Sequence, residues 1–316
     1  MKNAGYNKTM LVYSLVLGLI FTIGTTVSAM ENMRASSIVF AELAPDSEAE
    51  RLMLAKSWDT ESLRMAAINS RAELFFNRGV AYYVKQFLSS SHISTKIFSK
   101  SHYYFPKFEM TFRRAGVPTE LMALAIVESH LDNEVTSPVG AAGMWQIMPA
   151  TARNLGLTVD ESIDERRDPY LAASAAADYL ADSFDQFDSW VLAIASYNCG
   201  PGNVRKAIRK AGGSTDYQKV RPFLPQQTKA YVAKIMAAIY LMQYDEMYGL
   251  VDEYQPDCIH GFDLIVTDRL DLRSLASEYE VSVSDIKALN PAFRQNSYNL
   301  KEAVSVKMPA RVSNLN

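Results

Sequence analysis

Apolar residues recur at helical spacing along most of this chain. Between Ser62 and Val84, the positions Leu63, Ala66, Ala67, Leu74 and Phe75 predict a helical extension, which continues as an amphipathic helix over residues 80–87. Phe105, Phe108 and Phe112 lie three and four residues apart, so they share one helix face. Core packing is the reading for this cluster, over a sugar-stacking platform that would include Tyr103 and Tyr104, and Pro106 is placed at the start of that helix. Gly116 ends it and Pro118 suits the first turn of the next. Residues 121–127 are apolar on nearly every face, the pattern of a helix buried on all sides, and they run directly into Glu128. Further helices follow at 172–184 (Ala-rich), 190–197 and 226–244.

From about Asp252 the rhythm changes. Residues 263–267 read as a strand, 272–279 and 284–289 as two short helices, and 304–308 as a closing strand. The expected organisation is a signal segment over 1–29, an N-terminal helical extension over 30–95, a helical domain over 96–250 and a small mixed module over 251–316. Residues 30 to about 75 carry the least information; Leu43-Ala44-Pro45-Asp46 marks a linker.

Glu128 is the first candidate for chemistry. It sits near the C-terminal end of a buried helix, where low dielectric and the negative end of the helix dipole both disfavour its charge. A carboxylic acid that stays protonated near neutral pH is what a general acid requires. Gly140-Ala141-Ala142-Gly143 has no bulky side chain, so its backbone can approach a ligand or another element closely. Pro149 opens the next helix, and Ser196-Tyr197-Asn198-Cys199-Gly200-Pro201-Gly202 breaks a later one with a polar aromatic pair. Asp132 and Glu134 follow Glu128 closely and read as solvated loop acids.

Composition narrows the field. The 316 residues are 48% hydrophobic and 21% charged, enough for a packed core of one large or two modest domains. A net charge of −3 gives no basic excess for nucleic acid. Cys199 and Cys258 make no disulfide framework, and four histidines without paired spacing predict neither metal nor cofactor. Lys2 and Lys8, the apolar stretch 10–23 and Val27-Ser28-Ala29 have the layout of a signal peptide cleaved after Ala29. An uncleaved anchor is the alternative, although the apolar stretch is shorter than the roughly 20 residues that span a bilayer.

Taken together, Glu128-Ser129, SPVGAAGMWQIMPAT, DERRDP, SYNCGPGNV and QTKAYV resemble the catalytic domain of soluble-type lytic transglycosylases of bacterial cell walls, over about 78–244. Trp145 before Gln146 resembles the membrane-bound D group. Residues 271–293 resemble a LysM module, a βααβ fold that binds N-acetylglucosamine-containing chains, with Asp268-Arg269-Leu270 where that family has Gly-Asp-Thr. Pattern and resemblance together predict a mainly α fold: a lysozyme-like helical catalytic domain with a small α+β, LysM-like module.

The resemblance implies a peptidoglycan lyase in the periplasm or cell envelope, whose partner is the glycan strand; it also admits peripheral contact with a membrane or with cell-wall proteins. It implies that Glu128 is a single general acid and base, cleaving between N-acetylmuramic acid and N-acetylglucosamine with a 1,6-anhydro product. Ser137 and Gln146 resemble polar contacts around the scissile residue, Met148 an apolar wall, and Tyr197 the tyrosine that hydrogen-bonds near the acid. Asn198 and Tyr231 join the substrate site. Gln227 stands where the family has Glu, which keeps the hydrogen-bonding shape and loses a negative charge beside Glu128. Cys199 replaces the usual Ala and reads as packing. A lysozyme-type hydrolase and a non-catalytic wall-binding scaffold are the competing functions.

Overall fold

The computed structural model describes residues 60–252, 261–300 and 303–310, so the expected signal segment and the linker at 43–46 lie outside the described residues. Residues 60–67 are helical, and the chain then leaves the helix until 78. The continuous periodicity expected over 62–84 is therefore interrupted. The reason is visible at Glu73, whose Oε2 accepts from the amides of Trp190 (3.0 Å) and Val191 (3.3 Å). This segment spends itself on the N-terminus of another helix, where a carboxylate is favoured by the unpaired N–H groups and the dipole.

Helix α1 (Arg78–Ser89) is capped by Asn77, whose side chain accepts from the Val80 amide. Helix α2 (Ser91–Arg114) is 24 residues long and contains Pro106 in its interior, not at its start as expected. A mid-helix proline removes one backbone hydrogen bond. Burial outweighs that loss: Phe98, Phe105, Phe108 and Phe112 all lie on the inner face. Phe112 stacks on Trp145 with ring centroids 5.5 Å apart, and Phe108 meets the same indole at 5.7 Å.

After Pro118 a 3-10 turn (Thr119–Met122) leads into α3 (Ala123–Ser129). Then come α4 (Pro149–Asn154), α5 (Pro169–Phe187), α6 (Trp190–Cys199), α7 (Pro201–Lys210), α8 (Tyr217–Val220) and α9 (Gln226–Gln243). Helix α9 packs on α1, α3 and α6, and α5 packs on α6 and α2. The alanines of α5 let it lie close: Ala172, Ala173, Ala175, Ala176 and Ala177 are all buried. Residues 190–196 of α6 are buried without exception, as an apolar all-round helix requires.

Beyond residue 260 the chain builds a second, smaller core. Its elements are β1 (Gly261–Val266), β2 (Arg269–Asp271), α10 (Leu272–Glu278), α11 (Val283–Leu289), β3 (Ser297–Asn299) and β4 (Val304–Pro309). Strands β1 and β4 pair antiparallel from Gly261↔Pro309 to Val266↔Val304, and β2 pairs with β3. Leu270, Leu272, Ile286, Phe293, Val306 and Met308 fill the space between sheet and helices. The expected βααβ order is present, and the short β2–β3 ribbon is an addition. Three-residue strands carry no readable alternation, which is why the pattern missed them.

Candidate active site

Helix α3 ends in two consecutive left-handed residues, His130 (φ 58°) and Leu131 (φ 59°). This abrupt stop leaves Glu128 in the last turn, partly exposed on a helix whose other faces are buried. Ser129 ties the helix end to the loop that follows: its hydroxyl donates to the Met144 carbonyl (2.7 Å) and accepts from the Asp132 amide (3.1 Å). Tyr231 of α9 donates its phenol to Glu128 Oε1 at 2.6 Å.

Burial raises the Glu128 carboxyl from 4.5 to about 7, against the opposing effects of the Tyr231 hydrogen bond and the Lys234 charge. The carboxyl is thus poised to hold a proton or release it near neutral pH. Burial, and after it the charge on Glu128, pushes the phenols of Tyr197 and Tyr231 well above their ordinary range, so both remain donors. Lys234 is pulled down by burial and restored in part by Glu128.

Tyr197 lies beside this group, but its hydroxyl donates to the Trp145 carbonyl at 2.7 Å. It therefore joins the end of α6 to the loop that carries Gln146. Tyr179 of α5 packs edge-on against Tyr197, with centroids 5.2 Å apart, and donates to the Ser196 carbonyl at 3.0 Å. Asn198 accepts from the buried Thr228 hydroxyl at 2.9 Å, which pins α6 to α9. Gln227 is exposed and stands one turn before Tyr231 on the same side of α9. The side chain that α9 places on Glu128 is that of Tyr231.

Residues 133–148 form the loop that Ser129 and Tyr197 tie to this group through the carbonyls of Met144 and Trp145. Ser137 accepts from the Ala141 amide through its hydroxyl (3.0 Å), and Ala142 and Ile147 exchange backbone hydrogen bonds of 3.2 Å. Gln146 has φ +48°, a left-handed conformation that is costly for a side-chain residue. Its amide nitrogen donates to the carbonyls of Gly143 (2.8 Å) and Val135 (3.1 Å), which holds it there. Met148 is 42% exposed at the loop's end.

The loop is held from behind by the DERRDP segment. Asp164 binds Arg166 through two bonds of 2.8 and 2.9 Å, and Arg166 Nη1 donates to the carbonyls of Gly140 (2.7 Å) and Ile147 (3.0 Å). Arg167 donates to the Glu134 carbonyl and to Thr136 Oγ1, each at 2.6 Å. A Cβ on Gly143, which has φ +79°, would lie 1.8 Å from the Arg166 carbonyl oxygen. The close approach that small residues permit here is to protein backbone.

Ser129 and Thr228 stood in the sequence only as motif members without a role, and Tyr179 and Lys234 were not singled out. The Thr228 role was legible in principle, as that of a polar residue at the buried position of an amphipathic helix; the roles of the other three follow only from the packing. Cys199 is a free thiol, partly buried against the main core. Among the described residues, no group of three His, Cys, Asp or Glu side chains could hold a metal, and no helix is long and apolar enough to cross a membrane.

Residues 107–220 match the protein family described as Transglycosylase SLT domain. The membrane-bound lytic murein transglycosylase D of Escherichia coli K12 is 33% identical over 203 residues, covering 63% of this chain and 44% of that protein. The soluble lytic murein transglycosylase of the same strain is 33% identical over 122 residues, 37% of this chain and 19% of that protein. A solved complex of the 70-kDa soluble lytic transglycosylase with bulgecin A aligns at 25% identity and a TM-score of 0.38, over 53% of this chain and 30% of that one. The chain thus spans less than half the length of these curated relatives. Glu128, the braced loop and Tyr197 all fall inside the residues that match this family.

Proposed function

We propose that this protein is a peptidoglycan lytic transglycosylase acting in the periplasm or cell envelope, with Glu128 as its single general acid and base. The observation that carries this reading is the state of Glu128: a carboxyl raised to about 7 by burial and held by Tyr231, with Tyr231 and Lys234, and no carboxylate, as the groups among the described residues that act on it. Ordinary glycosidases use two carboxylates, one on each side of the scissile bond. The two acids that follow Glu128 are both exposed: Asp132 accepts from the Glu134 amide at 2.8 Å, and Glu134 lies within 3.5 Å of Arg167 and 3.7 Å of Arg294. The names of the similar proteins, lytic murein transglycosylases, support the same substrate.

In the proposed reaction, protonated Glu128 gives its proton to the glycosidic oxygen as the bond from that oxygen to C1 of the muramic residue breaks. The bonding pair leaves with the oxygen. The C6 hydroxyl oxygen of the same sugar then bonds to C1, and the Glu128 carboxylate takes the hydroxyl proton. The residue is regenerated, no water is consumed, and a 1,6-anhydro end forms. An intramolecular nucleophile has a high effective molarity, so no group is needed to place a water. Tyr231 fixes the acid by its hydrogen bond. The amide nitrogen of Gln146 is committed to its loop, which leaves its oxygen to accept from a sugar hydroxyl; Ser137, Met148 and Asn198 complete the wall of the site, with Gln227 at its edge.

Digestion of purified peptidoglycan, followed by mass spectrometry of the released muropeptides, tests the reading. Anhydromuramic ends are expected, and reducing ends would make the protein a hydrolase. Glu128→Gln should lower the rate by roughly three powers of ten or more, because both proton transfers use one residue. Activity within about tenfold of wild type would remove Glu128 from the mechanism.

A further inference from the structure

The turn at 158–165 belongs to two cores at once. On its inner side, Asp164 holds Arg166, which holds the carbonyls of Gly140 and Ile147 at the two ends of the glycine loop. On its outer side, Ile163 packs into the C-terminal core with Phe293 and its neighbours. Two backbone hydrogen bonds of 2.9 Å close an antiparallel bridge between Ile163 and Phe293: Asp164 N–H to Ala292 O, and Arg294 N–H to Ser162 O. Gln295 adds a bond to the Glu161 carbonyl (3.3 Å), and Arg294 reaches Glu134, at the base of the same loop, at 3.7 Å. Lys307 of β4 lies over the ring of Tyr170 in α5, 5.0 Å from its centroid.

A module that only tethers an enzyme to an insoluble wall has no reason to be joined at the residues that brace the active-site loop. We infer that the C-terminal module is a positioning element of the cleft: by completing the 158–165 turn through residues 292–294, it sets the shape of loop 133–148 and so the placement of Ser137, Gln146 and Met148. This rests on the proposed activity for its consequence, though not for its geometry. A tether raises activity only on intact wall, whereas a positioning element raises it on any substrate, including a soluble fragment too short to reach the module.

The test uses the full-length chain and undocks the module from either side. Ile163→Asp places a charge in the apolar contact from the catalytic side. Arg294→Pro removes one bridging amide from the module side. Ile163→Val keeps the contact and is the conservative control. Each is assayed on intact sacculi and on a soluble peptidoglycan tetrasaccharide, with amide hydrogen exchange followed in parallel. Both disruptive variants should lose roughly tenfold in kcat/KM on both substrates, with a rise in KM and a fall in kcat, because the displaced loop carries binding groups. Ile163→Val should stay within about twofold of wild type. The amides of Ala142 and Ile147 should exchange faster in the disruptive variants while those of α9 do not. Loss on sacculi alone, with unchanged loop exchange, would make the module a tether and overturn the inference. If wild type cuts neither substrate, the activity reading fails, and the exchange at Ala142 and Ile147 alone decides whether the module sets the loop.

Discussion

The proton on Glu128 is governed by opposing effects whose signs can be tested one at a time. Burial raises the carboxyl and is the largest; the Tyr231 hydrogen bond and the Lys234 charge each lower it. Tyr231→Phe removes one of the two lowering effects, so the carboxyl should rise above 7 and the alkaline limb of the pH–rate profile should move upward. The rate at its optimum should still fall by roughly tenfold, because the acid loses the contact that orients it. A limb that stays in place would mean that the profile reports another group. The same burial has a stability consequence. A folded-state value of about 7 against 4.5 for the free group means that the folded protein binds more protons than the unfolded chain between those values. Stability therefore falls as pH rises through that window, and the full penalty stands above it. Glu128→Gln, which carries no charge, should match wild type near about pH 4 and exceed it by on the order of 2 kcal/mol near about pH 8. Parallel melts at the two pH values check this, and an advantage that is the same at both would show that ionisation is not its source.

At the scale of elements, the candidate site depends on a loop without regular structure, held by buried charge. Asp164, Arg166 and Arg167 are each less than a tenth exposed, and the arginines reach four separate backbone carbonyls of the loop. Such a cluster is costly to assemble and more costly to break, because removing the acid leaves the Arg166 guanidinium in low dielectric without its carboxylate and Arg167 with only the exposed Glu134. Asp164→Ala should lower unfolding stability by about 3–5 kcal/mol. Activity should fall further than stability alone explains, measured below the melting transition, since the carbonyls of Gly140 and Ile147 lose their anchor. A variant with the same melting temperature and full activity would place the loop's rigidity elsewhere. The helices around the loop are less exposed to such changes: α6 and α9 bury most of their surface, and Thr228–Asn198 is one link among many apolar contacts.

At the scale of the whole molecule, two hydrophobic cores of unequal size share one turn. Among the described residues, the larger runs from Met65 to Leu250 and the smaller holds eight buried residues from Leu270 to Met308. A core that small has little margin, so one deleted side chain can unfold it. Ile286 is fully buried in it, and Ile286→Ala should cost about 2–5 kcal/mol. The expected outcome is loss of hydrogen-exchange protection across 261–310 while the amides of α6 and α9 keep theirs. Simultaneous loss in both regions would mean that the cores unfold as one cooperative unit.

Much of this was legible in the residues themselves. The helices at 172–184, 190–197 and 226–244 follow from apolar spacing, because a helix repeats every 3.6 residues and its buried face must do the same. The β1 and β4 strands and both module helices were readable for similar local reasons. Glu128 could be identified because an acid at the end of a wholly apolar helix has one direction in which to shift. The interior position of Pro106 was not legible, since a proline reads locally as a helix start and only the packed aromatic face of α2 outweighs the missing bond. Nor was the break between 67 and 78, which exists because Glu73 caps a helix more than a hundred residues away. Tyr231 and Tyr197 illustrate the same division: both stood in motifs of the sequence, but the crossing of α9 over α3 puts the Tyr231 phenol on Glu128, while the end of α6 brings that of Tyr197 to the Trp145 carbonyl. Local patterning decides which face of a segment is buried, because the chain's own period determines it. Which polar groups then meet across that buried face depends on how distant segments cross, and only the tertiary structure decides that.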